Sequence, residues 1–380
     1  MKILIFSTAY LPFIGGAEVA VKEITDRLGD FEFDMITARL NGKLPKFERV
    51  GNINIHRIGI GAPMFDKYLL AFFGQRFARK LHKKNNYDVI WSIMASYAGF
   101  AAASFKKIYP TTPFLLTLQE GDDLNYINKR VGFLKSKFKQ IFSSADYIQC
   151  ISNFLADWAK NMGAKCEVEV VPNGVSLDKL KSENEEVKTE IHNLKNKLGI
   201  KESEKVIITV SRLVPKNGVG DLIEAVSKLQ IPNYKLLILG SGPLEESLKS
   251  KTESLKLGNR VNFLGEIPNK KVPEYLAISD VFVRPSLSEG LGNAFLEAMA
   301  AGVPVIGTEV GGIPDFLVNR ETGLFCEASN SNDIAEKIKL LLTDNDLRNK
   351  LIVNGRKLVE EKYNWNEIAE RMENIFNKLE

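Results

Sequence analysis

A chain of 380 residues with 44% hydrophobic content can bury two sizeable cores, and 26% charged residues with scattered glycine and proline indicate a folded rather than a disordered chain. The net charge is only +4 but unevenly spread: residues 1–165 hold 23 Lys and Arg against 14 Asp and Glu, the remainder 28 against 33. The three cysteines, Cys150, Cys166 and Cys326, are far apart and odd in number, which argues against a disulfide framework and for free buried thiols in a reducing compartment.

The chain opens with MKILIFSTAYLPFIGG, where a lysine precedes an apolar run. A single basic residue, the interruption at Pro12 and the lack of a small-x-small cleavage site make this a first buried strand, not a signal peptide. Gly15 and Gly16 follow it, before a helix expected to start near Glu18. A glycine pair there lets the backbone approach a phosphate; the other reading is a plain tight turn. FDMIT, INIHRI, YDVIWSI, TPFLLTL, ADYIQCIS and VEVVPNG continue as strands between amphipathic helices. Two of the intervening segments, Lys67–Lys84 and Asn128–Phe142, gather cations beside apolar residues. In the second, Leu134, Phe138 and Ile141 recur at helical spacing among Lys135, Lys137 and Lys139. Two readings stand for both: a core-facing helix with a solvated basic face, and contact with an anionic membrane surface. Nucleic acid is not the expected partner, because no aromatic-basic recognition motif accompanies the charges. No segment offers the ~18 consecutive apolar residues of a membrane span.

The boundary falls near VPNGVSLDKLKSENEEVKTEIHNLKNKLGI, whose charged run reads as an exposed helix or a plain linker. Beyond it come KVIITVSRL, YKLLILG, RVNFLG, DVFVRPS, VPVIGT and GLFC. Strands alternating with helical patterns throughout predict an α/β protein of two Rossmann-like domains in tandem, 1–175 and 176–361. The final KYNWNEIAERMENIFNKLE is amphipathic, with Trp365, Ile368, Met372, Ile375 and Phe376 near one face. SRLVPKNG sets Arg212 at the end of an apolar strand and Lys216 in the loop beyond, two cations suited to a diphosphate or else a surface pair. ILGSGPLEE begins like a dinucleotide fingerprint but has Glu245 at the third glycine, so NAD is not implied.

The most informative stretch is SEGLGNAFLEAMAAGVPVIGTEVGGIP, Ser288 to Pro314. A short apolar strand, a loop punctuated by Gly290 and Gly292, Asn293 placed as N-cap, a helix over Ala294–Ala301 and a stop at Gly302 and Pro304 make a βαβ unit. Its helix N-terminus attracts phosphate. Glu289 before the cap and Glu297 one turn inside can reach opposite ends of one ligand, and carboxylates accept paired hydroxyl hydrogen bonds. A ligand with a phosphate in the middle and hydroxyl-rich rings at both ends is a nucleotide-sugar.

These residues resemble the E-x7-E motif of the family 4 retaining glycosyltransferases. The resemblance spans nearly the whole chain and implies a GT-B fold, with two Rossmann-like domains facing each other across a cleft and a C-terminal helix, about 362–380, crossing back to the first. It implies that Glu289 holds donor-sugar hydroxyls, Glu297 the ribose, and the amides of Leu291, Gly292, Asn293 and Ala294 the diphosphate. Arg212 and Lys216 become the diphosphate clamp, Gly15 and Gly16 line the cleft, and the backbone of Gly265, Glu266 and Ile267 meets the base. Two departures stand out. The family's lysine directly precedes the glycine, where this chain has Asn217, and Lys216 sits one place earlier. The family's histidine at the end of a central first-domain strand is here Gln119, which can bond a sugar hydroxyl but cannot act as an acid or base. Asp122 and Asp123 nearby read as acceptor-side carboxylates, as helix caps or as solvated residues.

The resulting expectation is a metal-independent hexosyltransferase of cell-surface polysaccharide or glycolipid synthesis, in the cytoplasm or at the inner face of the membrane. It would transfer sugar from a nucleoside-diphosphate donor to a glycan, lipid-linked or small-molecule acceptor, with no cofactor and no metal site. Asp344 and Asp346 are explained by capping. A nucleotide-sugar epimerase, and a partner subunit that binds donor without turnover, are the alternatives; the Gln119 and Asn217 departures sustain the second, while Glu289, Arg212 and Glu297 count against it.

Overall fold

The computed structural model describes residues 1–177 and 185–380; part of the charged boundary segment, residues 178–184, lies outside them. The chain forms two compact units, Met1–Asn173 with Trp365–Glu380, and Gly174–Asn364, against the divisions at 175/176 and 361/362 expected from sequence.

The first unit is built on β1 (Lys2–Phe6), β2 (Glu32–Ala38), β3 (Phe47–Val50), β4 (Ile53–Ile58), β5 (Val89–Ile93), β6 (Phe114–Leu118), β7 (Tyr147–Cys150) and β8 (Glu167–Val170). Their order across the sheet is β3-β4-β2-β1-β5-β6-β7-β8. All neighbours are parallel except β3 and β4. The central strands are apolar runs because helices cover both faces, so β1, β5 and β6 are buried almost throughout. β3, FERV, was not expected: it is a short antiparallel edge strand that carries Glu48 and Arg49 and buries none of its residues. The final helix, Trp365–Leu379, belongs to this unit and buries Trp365, Ile368, Met372, Ile375 and Phe376. Phe376 stacks edge-on to Trp91 at 5.2 Å and tilts against Phe31 at 6.0 Å. Truncating such a buried ring costs about 3–5 kcal/mol, so the tail is part of the first unit's core.

The second unit carries β9 (Lys205–Val210), β10 (Tyr234–Leu239), β11 (Val261–Gly265), β12 (Val281–Arg284), β13 (Val305–Thr308) and β14 (Leu324–Cys326). The order is β11-β10-β9-β12-β13-β14, parallel at every pairing. In each sheet the order reverses beside its first strand, between β1 and β5 and between β9 and β12. Helices leave on opposite faces at such a point, so the strands' carboxyl ends open a crevice there, which is where ligands bind in open α/β sheets. The fold is thus the expected mixed α/β arrangement of two Rossmann-like domains.

The cysteines are free. Cys150 and Cys326 are buried as expected, whereas Cys166 is only half-buried. Burial raises all three thiols, Cys166 to about 11 and Cys326 to about 12.

Candidate functional site at two sheet edges

The loops leaving β9 and β12 are locked to each other. Gly218, at φ +65°, lies so close to the Pro285 carbonyl that a Cβ would stand 2.0 Å from its oxygen, so only glycine fits. Leu287 N–H donates to the Lys216 carbonyl at 2.6 Å. The buried Asn217 donates from Nδ2 to the Arg212 carbonyl at 2.6 Å and accepts at Oδ1 from Arg284 Nη2 at 3.2 Å. The same Arg284 nitrogen meets Glu289 Oε2 at 2.5 Å, in an ion pair whose side chains are each 11% exposed. The next loop, VGGI, holds Glu289 from behind, with Gly312 N–H on the Glu289 carbonyl at 3.1 Å. Thr308 Oγ1 donates to the Ser286 carbonyl. Glu289 is therefore a fixed carboxylate at the switch point.

The helix that follows starts at Asn293 and runs to Ala300; the cap is Gly292, not Asn293 as the sequence suggested. Gly292 has φ +101°, a conformation that asparagine tolerates less well than glycine, so the turn ends one residue earlier. Leu291 and Phe295 are buried beneath it, which leaves the amides of Asn293 and Ala294 among the unpaired N–H groups of the helix's first turn. Glu297 is half-buried inside the same helix. Arg212 is exposed at the β9 loop and Lys216 half-buried on a single 3₁₀ turn, Pro215–Asn217.

The GSGP loop after β10 joins this edge through Leu213 N–H on the Ser241 carbonyl at 2.9 Å. Gly240 N–H bonds the Gly265 carbonyl at 2.7 Å, which draws in the end of β11. Glu266 beyond it is exposed and Ile267 half-buried. Arg212, Lys216, Gly265, Glu266, Ile267, Glu289, Leu291–Ala294 and Glu297 thus all belong to one sheet edge. Arg284 was missed. A cation after VFV reads as a strand end reaching solvent, and only the fold shows it turned onto Glu289.

The remaining expected residues belong to the first unit. Gly15 caps the helix Gly16–Arg27, which starts two residues before the expected Glu18. Gly15 is extended, at φ −140°, and a Cβ there would stand 2.7 Å from Glu18 Oε2. Thr8 of this loop bonds Ser96 at 2.9 Å, joining the ends of β1 and β5. Gln119, half-buried past β6, accepts at Oε1 from Nδ2 of the buried Asn173 at 3.1 Å. Asp123 is a helix cap, accepting from Tyr126 N–H at 2.9 Å, and Asp344 likewise accepts from Leu347 N–H at 2.9 Å. Sequence reasoning also passed over Glu120. Its side chain is buried, Oε1 accepts from Ala95 N–H at 2.6 Å, and Oε2 has no partner among the described residues. Burial pushes this carboxyl up to about 7, against the pull of the Ala95, Glu120 and Gln119 amides and with a small push from Asp122.

Comparison with known proteins follows these edges. Residues 190–358 match the family model described as glycosyl transferases group 1, and residues 14–179 match that described as glycosyltransferase family 4. The chain is 28% identical over 386 residues to the N-acetyl-alpha-D-glucosaminyl L-malate synthase of Bacillus anthracis, covering 99% of this chain and 97% of that protein. It is 27% identical over 323 residues to the alpha-monoglucosyldiacylglycerol synthase of Acholeplasma laidlawii, covering 80% of each. Among solved structures, Anabaena HepE in complex with UDP-glucose superposes with a TM-score of 0.80 at 19% identity, over the full length of both chains.

Proposed function

The chain belongs to glycosyltransferase family 4, and on that premise we propose that it is a retaining hexosyltransferase using a nucleoside-diphosphate sugar. The observation that carries this reading is Glu289 fixed at the switch point of the second sheet, beside the N-terminus of the helix Asn293–Ala300 and one loop away from Arg212. In this reading the second domain holds the donor. Glu289 takes the sugar hydroxyls, Glu297 the ribose, the amides of Leu291–Ala294 the diphosphate, and the backbone of Gly265–Ile267 the base. The first domain holds the acceptor, with Gln119 bonding a sugar hydroxyl and the Gly15–Gly16 turn open to close approach of a ligand. HepE's complex with UDP-glucose supports the donor class.

The reaction breaks the bond between the anomeric carbon and the diphosphate oxygen, and both electrons leave with the diphosphate. Arg212 and Lys216 stabilise the charge that grows there, an effect strongest in a site that excludes water. The acceptor oxygen bonds the same carbon on the face the diphosphate leaves, and its proton passes to the departing phosphate. Side chains supply the positive charge in this scheme, so neither metal nor cofactor enters it.

For the acceptor, the two relatives point to a small acid and to a lipid; the surface of the first unit favours the lipid. The helix Pro63–Asn85 turns Leu70, Ala71, Gly74 and Ala78 inward. Outward, at i, i+3 and i+4 spacing, it carries Phe65, Tyr68 and Phe72, which are 55%, 47% and 57% exposed, and then the exposed Arg76, Arg79 and Lys83. Aromatic rings followed by cations on one stripe suit an interfacial helix on an anionic bilayer, where each cation contributes ~1 kcal/mol. The other basic segment is core-facing: in the helix Lys135–Ser143, Phe138, Ile141 and Phe142 are buried and the lysines point to solvent. No described helix is long and apolar enough to cross a membrane. The stripe on Pro63–Asn85 is the feature that supports binding at a membrane surface.

A panel of nucleotide-sugars, assayed for nucleoside-diphosphate release with and without lipid and sugar acceptors, tests the activity. Acceptor-dependent release that Glu289→Gln abolishes fits the proposal. Isomerisation of the donor without an acceptor would establish the epimerase, and donor binding without turnover the partner subunit. Flotation with phosphatidylcholine vesicles, with and without phosphatidylglycerol, tests the stripe, and equal recovery from both would refute the lipid reading.

A further inference from the structure

We infer that Arg284 supplies the second donor-site cation of this chain, in the place that a lysine directly before Gly218 would otherwise fill. The inference rests on the donor-site reading above and changes which residue clamps the diphosphate.

Three observations meet at this point. First, Asn217 stands before Gly218, is 1% exposed, and uses its amide to tie the β9 loop to Arg284, with Nδ2 on the Arg212 carbonyl and Oδ1 on Arg284 Nη2. A neutral side chain at 217 thus points at a guanidinium that enters from the neighbouring strand. Second, Arg284 ends a strand whose other residues, Val281, Phe282 and Val283, are fully buried, so its stem is held on a rigid element and its head is confined between the two switch-point loops. Third, one nitrogen serves both protein partners, while Arg284 Nε–H is buried with no acceptor among the described residues. A planar guanidinium offers five donors in a fork that matches phosphate oxygens, and a buried N–H left over in that fork is a position for one of them.

Lys216 does not substitute geometrically. It lies on the 3₁₀ turn Pro215–Asn217, where successive side chains diverge by roughly 120°. A side chain at 216 therefore leaves the loop in a different direction from one at 217. Arg284, by contrast, reaches the position to which Asn217 points. Its contact with Glu289 Oε2 also gives it a second consequence: the cation facing the diphosphate and the carboxylate facing the sugar are one paired unit, with Glu289 Oε1 turned to the sugar hydroxyls. When the anomeric bond breaks and its electrons move to the diphosphate, Arg284 and Arg212 flank the departing charge.

Calorimetric titration of UDP, GDP and ADP into the wild-type chain identifies the nucleotide bound, and the same nucleotide is then titrated into Arg284→Leu, Lys216→Ala and the double variant Asn217→Lys/Arg284→Leu, each with its thermal midpoint. Arg284→Leu is expected to weaken binding about tenfold more than Lys216→Ala. Returning a cation at 217 is expected to recover most of that loss, a rescue that a purely structural role for Arg284 does not give. If Arg284→Leu does not fold, Arg284→Gln, which keeps an amide beside Glu289, supports the same comparison. A larger loss in Lys216→Ala, or a folded double variant no better than Arg284→Leu, overturns the inference and leaves the donor site standing. Failure of the wild type to bind any of the three nucleotides removes the donor reading and this inference together.

Discussion

At the carboxyl edge of the second sheet the polar groups are charged and paired, Arg284 with Glu289, with Arg212 and Lys216 on the adjoining loop. At the same edge of the first sheet the pairs nearest the switch point are neutral, Thr8 with Ser96 and Gln119 with Asn173, while the buried Arg57 and Asp66 and the carboxylates of Asp122 and Asp123 lie further out. A carboxyl buried beside the neutral pairs, Glu120, is raised to about 7 by its surroundings. Two sheets with a switch point in the same place thus differ in what stands at it: a paired cation and carboxylate in one, neutral hydrogen-bonded pairs in the other. A diphosphate needs fixed cations, and a carboxylate can orient its sugar, whereas a hydroxylic acceptor can be held by neutral hydrogen-bond partners alone. One fold can carry both because the loops, not the strands, hold the chemistry.

The same substitution at the two edges is the strongest way to break this contrast. Glu289→Gln keeps the size and one acceptor for Arg284 but removes the charge that orients the donor. Turnover is expected to fall by about 10²–10³-fold, as for loss of one preorganised group at a reacting centre, with the acceptor KM unchanged. Steady-state kinetics with each substrate varied in turn gives the answer, and retention of activity would remove Glu289 from the donor site.

Glu120→Gln is expected to act on stability instead. Its carboxyl is held above the usual range when folded, so between about pH 4.5 and about 7 the native state binds a proton that the unfolded chain has released. Stability contributed by the protonated form is complete below the unfolded value and is lost as pH rises through the folded one. The slope is at most about 1.4 kcal/mol per pH unit. Denaturant midpoints of the wild type at pH 5, 6 and 7 are expected to decline, and those of Glu120→Gln to decline less. Parallel lines for the two proteins would mean that Glu120 does not carry the slope.

Much of this was legible in the chain. The six strands of the second sheet, the helix after Gly292 and the apolar face of the final helix follow from periodicity and from glycine and proline punctuation. The clamp was not. Arg284 follows three apolar residues, as a strand end reaching solvent also would, and its pairing with Glu289 depends on how β12 sits beside β9. Asn217 looked like a loss because sequence shows which residue is absent, not which neighbour reaches its place. Glu120 was overlooked beside Gly121, Asp122 and Asp123, a polar run that reads as a solvated turn although its first carboxylate is folded inward. β3 escaped because antiparallel edge strands carry charge on residues that stay half in water.

The smallest expected effect would sharpen the contrast most finely. Asn173 follows β8 by three residues and is 3% exposed, and its Nδ2 holds Gln119 Oε1 at 3.1 Å. This hydrogen bond sets which way the Gln119 amide faces, so Asn173→Ala releases the orientation while leaving Gln119 in place. A neutral hydrogen bond is worth about 0.5–1.5 kcal/mol, which corresponds to roughly a two- to tenfold rise in acceptor KM. Turnover at saturation and donor KM are expected to stay near wild type, because no charge at the second sheet has changed. Asn173→Asp separates orientation from hydrogen bonding: a carboxylate cannot donate to Gln119 Oε1 but can accept from its amide, so the amide would be held flipped. If both variants raise the donor KM as well, the two edges do not divide donor from acceptor, and the first sheet's edge is serving the nucleotide-sugar too.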